Sequence, residues 1–271
     1  MARRLSIACL QTCPKATIGE AIDEALPIAE EAVEAGADIL FLPEYCSGLV
    51  SEEGVLKPPA APEADHPMVS LFQQFARRTK VCVSLGSVAV STASDKLINR
   101  AIMINADGKI ISRYDKIHLF DVQISPNEIY RESATVIAGD NASIINFDHV
   151  KLAHVICYDL RFPVFCRNND DYDLLICVAN WPEARIQAWD TLLSARAIEN
   201  MAYTIGVNRV GRDAYRLQYP GHSAIYNAMG DREGFLDKEQ TIAYIVIDKS
   251  KLETTREKLP FLQDRDEFTL T

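Results

Sequence analysis

Hydrophobic positions along the chain follow two periods. Short continuous apolar runs stand at Leu5–Leu10, Asp38–Leu42, Val81–Val90, Val150–Ile156, Leu174–Ala179 and Ala202–Asn208. Their length and β-branched content predict buried strands. Between them apolar residues recur at helical spacing, at Ile22, Ala25, Leu26, Ala29 and Val33, and again at Met68, Leu71, Phe72 and Phe75. A third helix is predicted over Ile186–Asn200. Thr17-Ile18-Gly19-Glu20 has the form of a capping box and Gly36 is a good stop, while Pro27 predicts a kink or a later start. Ser250-Lys251-Leu252-Glu253 reads as a second box, opening a helix toward Lys258.

Hairpins complete the pattern. Asp107-Gly108 joins Asn99–Ile104 to Lys109–Arg113, and Ser143–Phe147 pairs with Val150–Ile156. Ala224–Tyr226 and Ile242–Ile247 read as strands joined through Met229-Gly230-Asp231. Phe120–Arg131 reads as irregular, and Phe261–Thr271 as an extended tail. Lys57–Pro67 holds four prolines and is expected to be a loop near the functional site. Strands alternate with helices, yet hairpins intervene, so a purely parallel sheet is excluded. The prediction is an α/β fold with two mixed sheets layered between helices. No repeat or linker divides the chain, so residues 1–271 are expected to form one domain.

Composition narrows the function. The formal charge of −10 argues against non-specific nucleic-acid binding. No run approaches the roughly 18 apolar residues of a membrane span, and Leu5–Leu10 is too short for a signal-peptide core. The seven cysteines are odd in number and several sit in apolar runs. That fits a reducing compartment better than a disulfide framework, and a cytoplasmic location is expected. Cys9 and Cys13 have no partnering Cys/His pair at zinc spacing, so no metal is expected.

Candidate chemistry lies at three strand ends. The strand up to Ile156 ends on Cys157, and a charged turn with Pro163 follows, where a helix can open. A thiol at such an elbow is presented at the carboxyl edge of the sheet, with the Tyr158 backbone N–H free to face an oxyanion. Alone this is weak, because a cysteine in an apolar strand is more often an inert core residue. Two other strand ends carry the groups a thiol needs. Leu40-Phe41-Leu42-Pro43 leads to Glu44, and the second strand of the Asp-Gly hairpin leads to Lys116.

Pro43-Glu44, Asp115-Lys116-Ile117-His118-Leu119-Phe120 and Cys157-Tyr158-Asp159-Leu160-Arg161-Phe162-Pro163 together resemble the nitrilase, or carbon–nitrogen hydrolase, superfamily. The resemblance runs from Leu5 to the C-terminal tail. It implies a four-layer α-β-β-α sandwich, no cofactor, and a homodimer or higher homo-oligomer. It also implies a triad of Glu44 as general base, Lys116 as electrostatic partner and Cys157 as nucleophile. Glu132 matches a second glutamate that the family places near the lysine, where it would position either Lys116 or the substrate amide. Two carboxylates beside one ammonium are expected to disfavour the thiolate unless one glutamate is protonated. Tyr130-Arg131-Glu132-Ser133, Val178-Ala179-Asn180-Trp181-Pro182 and Ala195-Arg196-Ala197-Ile198-Glu199-Asn200 bring the chain nearest to bacterial omega-amidases. These release ammonia from the distal amide of 2-oxoglutaramate or 2-oxosuccinamate. Other small-amide hydrolases, such as a deaminated-glutathione amidase or a carbamoyl-amide hydrolase, share the triad, and a non-catalytic assembly protein is a rival of another class.

Such a substrate carries a carboxylate, which arginine binds bidentately. Arg185 is the candidate for that contact and Trp181 for a pocket wall. Arg161 is expected in a structural salt bridge. His118, His154 and His222 form no catalytic set.

Overall fold

A computed structural model describes residues 4–269, apart from 53–54, 126–127, 170, 214–216 and 239–240. The first sheet starts with β1 (Arg4–Leu10), β2 (Ile39–Phe41), β3 (Cys82–Ser84), β4 (Val88–Ser91), β5 (Leu97–Ile104) and β6 (Ile110–Asp115). The second comprises β7 (Ser143–Phe147), β8 (Val150–Ile156), β9 (Leu174–Ala179), β10 (Tyr203–Asn208), β11 (Ala224–Tyr226) and β12 (Arg232–Phe235), in that spatial order. The chain then returns to the first sheet with β13 (Ile242–Asp248), antiparallel to β1. The first sheet is ordered β13-β1-β2-β3-β5-β4, with β6 on β5. Parallel triplets β1-β2-β3 and β8-β9-β10 form the two centres.

Side-chain alternation makes the layers. Leu5, Ile7 and Cys9 of β1 meet Ile176 and Val178 of β9 between the sheets. Ala8 and Leu10 point outward, onto helices α1 (Ile18–Glu34) and α2 (Pro67–Thr79). On the far side, Leu175 and Cys177 pack against Trp189, Leu193 and Ala197 of α3 (Ile186–Asn200). Strands buried on both faces read as continuous apolar runs, which is why the sequence pattern found them. The α-β-β-α sandwich is the nitrilase fold that the resemblance implied.

Several elements differ from the sequence reading. The Thr17 box forms, and α1 starts there with Pro27 inside it. The Val81–Val90 run breaks into β3 and β4 at Gly86, whose φ is +52°; a Cβ there would lie 2.0 Å from the Leu42 carbonyl oxygen and 2.2 Å from that of Pro43. Phe120–Arg131 is not irregular in its described part: Asp121–Ser125 and Glu128–Arg131 pair as antiparallel strands, while Pro126 and Asn127 lie outside the described residues. Its first strand is mostly exposed and shows no apolar alternation. The Met229-Gly230-Asp231 turn leads from β11 to β12, not to β13. The last helix, α4 (Lys249–Lys258), is capped by Asp248, which accepts the Ser250 N–H at 3.0 Å, so Ser250 is not its cap. Pro163 opens no α-helix; the elbow continues instead as a 3₁₀ segment, Cys157–Arg161. Phe261–Asp264 forms a 3₁₀ turn before residues 265–269, which have no regular structure; the last two residues of the expected tail lie outside the described residues. Among the described residues no helix is long and apolar enough to cross a membrane.

Candidate active site

Glu44 sits in the turn after β2, Lys116 directly after β6, and Cys157 directly after β8. The first two come from one sheet and the third from the other. Glu132 enters from the end of the 121–131 hairpin. Lys116 Nζ lies 3.0 Å from Glu44 Oε1 and 2.9 Å from Glu132 Oε2, and all three residues are buried. Lys116 therefore pairs with neither neighbouring aspartate; Asp115 is taken by Arg100 at 2.6 Å.

Two asparagines complete the network, and the sequence reading gave neither a role. Asn99 Nδ2, from the interior of β5, donates to Glu44 Oε1 at 2.9 Å and to Glu132 Oε1 at 3.4 Å. Asn180 follows β9. Its backbone N–H reaches Glu44 Oε2 at 2.9 Å and its Nδ2 reaches the same oxygen at 3.1 Å. The Phe120 N–H donates to Glu132 Oε2 at 2.8 Å. Lys116 also meets Glu132 Oε1 at 3.1 Å. Each of the four carboxylate oxygens thus accepts from two N–H groups.

The charges set the protonation states. Burial works against the Lys116 ammonium, but Glu132 and Glu44 outweigh it and hold its pKa well above that of a free lysine. Cys157 goes the other way. Burial first, and Glu44 next, push its thiol well above the ordinary value, and the opposing pull of Lys116 does not restore it. Burial and the two carboxylates thus favour the neutral thiol over the thiolate.

Cys157 has φ +50°, a conformation that costs a non-glycine residue roughly 1–3 kcal/mol. Asp159, fully buried, anchors the elbow. Its Oδ2 accepts the Ile156 N–H at 2.9 Å and the Tyr114 hydroxyl at 2.7 Å. Its Oδ1 accepts the His118 N–H at 3.0 Å and lies 2.7 Å from His118 Nδ1. One carboxylate thereby ties the lysine segment to the cysteine elbow. A 3₁₀ segment starting at Cys157 leaves its first backbone N–H groups, Tyr158's among them, without partners inside the helix.

Above this floor opens a cavity of about 320 Å³. Trp181, Phe120, Tyr130, Tyr158 and Tyr219 wall it, and Arg161 and Arg185 both line it. Trp181 is buried and donates from Nε1 to the Arg185 carbonyl at 2.8 Å. The Arg185 guanidinium stands 5.7 Å from the centre of the Phe120 ring, and that of Arg161 stands 4.8 Å from Trp181. Arg161 has no carboxylate within ion-pair distance among the described residues, so the expected structural salt bridge gives way to a place on the pocket wall. The Lys57–Pro67 loop does not line the cavity; Ser125, Ile129 and Tyr130 of the hairpin strands do, with Asp213, Leu217 and Tyr219. Among the described residues no histidine lines it: His118 serves Asp159, His154 is buried in β8 and His222 pairs with Asp190 at 3.1 Å.

A buried carboxylate–ammonium–carboxylate row beneath a thiol at a strand-to-helix elbow can support thiol attack on a carbonyl group, with proton transfer by a carboxylate. The model of the carbon-nitrogen hydrolase family matches residues 6–257. The chain belongs to the carbon-nitrogen hydrolase family. As a member, it is a hydrolase of carbon–nitrogen bonds other than peptide bonds. It is 37% identical over 237 residues to the omega-amidase YafV of Escherichia coli, covering 87% of each chain. A deaminated glutathione amidase of Synechocystis is 31% identical over 95% of this chain and 97% of its own length. The structure of a carbon-nitrogen hydrolase from Xanthomonas campestris, solved with an arsenic adduct in its active site, superposes with a TM-score of 0.88. It is 31% identical and covers 99% of this chain and 100% of its own.

Proposed function

We propose that this carbon-nitrogen hydrolase is an omega-amidase, releasing ammonia from the distal amide of a small keto-acid amide such as 2-oxoglutaramate or 2-oxosuccinamate. The observation that carries the reading is the pocket itself: Glu44, Lys116, Glu132 and Cys157 at its floor, with two arginines among aromatic rings on its wall. The likeness to omega-amidase YafV supports it.

Glu44 takes the Cys157 proton as the sulfur attacks the amide carbon. The Lys116 ammonium and the Tyr158 N–H hold the resulting oxyanion. Glu44 then gives the proton to the nitrogen, ammonia leaves, and a thioester remains. Glu44 next activates water, which cleaves the thioester and frees the acid and the thiol. Glu132 holds Lys116 in place. Arg185 binds the far carboxylate, and Trp181 walls the acyl chain. A cytoplasmic homodimer or larger homo-oligomer, without a cofactor, belongs to the same reading.

The test is ammonia release from 2-oxoglutaramate by wild type and by Cys157→Ala, beside L-glutamine, a nitrile and a neutral amide. Rapid turnover of the keto-amide, abolished in the variant, is expected. Activity surviving in Cys157→Ala removes the mechanism. Arg185→Ala should raise KM for the keto-amide far more than for the neutral amide; equal effects remove Arg185 from substrate recognition. Deaminated glutathione joins the panel because the Synechocystis relative spans nearly the whole chain, and its preferential turnover would replace the keto-amide as substrate.

A further inference from the structure

The Ala195–Asn200 segment carries part of the resemblance to omega-amidases, yet the mechanism above gives it no task. In the structure it forms the end of α3 and grips the residues that follow the cysteine elbow. Asn200 Oδ1 accepts the Asn168 N–H at 2.9 Å, and its Nδ2 donates to the Cys166 carbonyl at 3.1 Å. Arg196 reaches further, to the elbow itself. Its Nε and Nη2 both donate to the Leu160 carbonyl, at 3.1 and 2.7 Å, and its Nη1 meets Glu199 Oε1 at 2.8 Å. Arg196 and Leu160 are both buried.

A buried guanidinium is a costly way to satisfy one carbonyl, and Asn200 serves the two neighbouring sites without a charge. What the arginine adds is a planar fork: two N–H groups on one oxygen fix the orientation of the peptide as well as its hydrogen bond. That peptide joins Leu160 to Arg161. The other end of the 3₁₀ segment is pinned separately, by Asp159 to the Ile156 N–H. Glu199 offsets the charge of Arg196. Arg161 has no such partner among the described residues, and its guanidinium lines the cavity, 4.8 Å from the Trp181 ring. Arg185, immediately before α3, lines the same cavity, and its carbonyl accepts the Trp181 Nε1–H. One helix thus carries one pocket arginine at its start and holds the other from near its end.

We infer that Arg196 is a positioning residue: through the Leu160–Arg161 peptide it holds the Arg161 guanidinium beside Trp181, where its charge acts on the anionic end of the substrate. Arg196 itself touches no substrate, since it does not line the cavity. Released from the fork, the peptide can rotate and the Arg161 guanidinium leaves the wall, while Cys157 stays anchored through Asp159.

The inference rests on the omega-amidase reading, and the experiment separates the two. It compares kcat/KM for 2-oxoglutaramate with kcat/KM for a neutral amide of similar length, in wild type, Arg196→Ala, Arg196→Lys, Arg161→Met and the double variant Arg196→Ala with Arg161→Met. Arg161→Met should lower the ratio of the two values about tenfold. Arg196→Ala should lower it about fivefold, through KM for the keto-amide. Arg196→Lys keeps the charge but makes one bond in place of two, and should lower it about threefold. The double variant should fall no further than Arg161→Met, because both substitutions act through one guanidinium. A loss of packing alone slows both amides alike and leaves the ratio unmoved. An unchanged ratio in Arg196→Ala, or losses that multiply in the double variant, overturns the inference; should Arg196→Ala not fold, an unchanged ratio in Arg196→Lys does so. Binding of 2-oxoglutarate, the dicarboxylate product, measured by titration calorimetry, needs no turnover and should weaken in step with the ratio. A wild type that hydrolyses neutral amides, yet neither turns over the keto-amide nor binds 2-oxoglutarate, overturns the omega-amidase reading instead.

Discussion

Asp159→Asn is the substitution whose effect follows most directly from the geometry. The carboxylate takes two donors on each oxygen: Ile156 N–H and the Tyr114 hydroxyl on Oδ2, the His118 N–H and Nδ1 on Oδ1. Asparagine keeps one acceptor oxygen and puts an NH₂ where the other stood. The Tyr114 hydroxyl can turn and accept, and His118 can change tautomer. A backbone N–H can do neither, so either Ile156 or His118 is left facing another donor. One buried unpaired N–H costs about 1–3 kcal/mol, and loss of charge assistance to the surviving bonds adds about 1 kcal/mol. The sum, about 2–4 kcal/mol, corresponds to a fall in Tm of about 5–15 °C for a chain of this size. Tyr114→Phe removes a single donor and leaves the carboxylate satisfied, so about 1 kcal/mol and about 2–4 °C are expected. Calorimetry on both variants, with turnover measured below their transitions, is the assay. Because Asp159 joins the Lys116 segment to the Cys157 elbow, kcat should fall in Asp159→Asn even where the protein is folded. A Tm within about a degree of wild type, or a Tyr114→Phe loss as large as that of Asp159→Asn, would refute the reasoning.

Three further outcomes are expected. Gly86→Ala places a methyl group 2.0 Å from the Leu42 carbonyl oxygen at a φ of +52°; it should cost about 3 kcal/mol or more and displace the Pro43-Glu44 turn, read as lost expression or lost turnover. His154 and His66 are buried, and burial lowers each to a pKa of about 4 from 6.5. The unfolded chain is therefore protonated first as pH falls, so their contribution is complete above pH 6.5 and is lost between 6.5 and 4, roughly 3 kcal/mol for each; Tm should drop over that window, and His154→Leu should flatten the drop. The raised thiol of Cys157 predicts slow alkylation by iodoacetamide at neutral pH that accelerates above pH 9, followed by mass spectrometry at that residue; a plateau near pH 7 would contradict it.

The strand ends bearing Glu44 and Cys157 were legible because each closes a run buried on both faces, and such runs stand out against turns; the strand before Lys116 is half exposed and was found through its Asp-Gly turn. Asn99 was not: one polar residue between Ile98 and Arg100 reads as a solvent-facing position, and only the fold turns it onto two carboxylates. Asn180 stood in a recognised turn, but its role depends on Glu44, which lies on the other sheet. Tyr45 was hidden by its neighbour, since nothing in a Glu-Tyr pair shows that the ring would be buried. The 121–131 hairpin escaped notice because exposed strands need no apolar alternation. The return of β13 to the first sheet was equally hidden, because a half-buried strand reads the same whichever sheet it joins. Arg161 was assigned an ion pair from its place in the elbow, whereas its guanidinium rests on Trp181.

The seam between the two sheets has a consequence for how activity appears as the chain folds. Glu44 and its Asn180 partner are 136 positions apart, so the base is oriented only after a very long loop has closed. Contacts of that span form late and slowly. A collapsed species holding either sheet alone would have native-like secondary structure and no turnover. Recovery of ammonia release after dilution from denaturant should therefore lag behind recovery of the circular-dichroism signal, making enzymatic activity the clock for docking of the two halves.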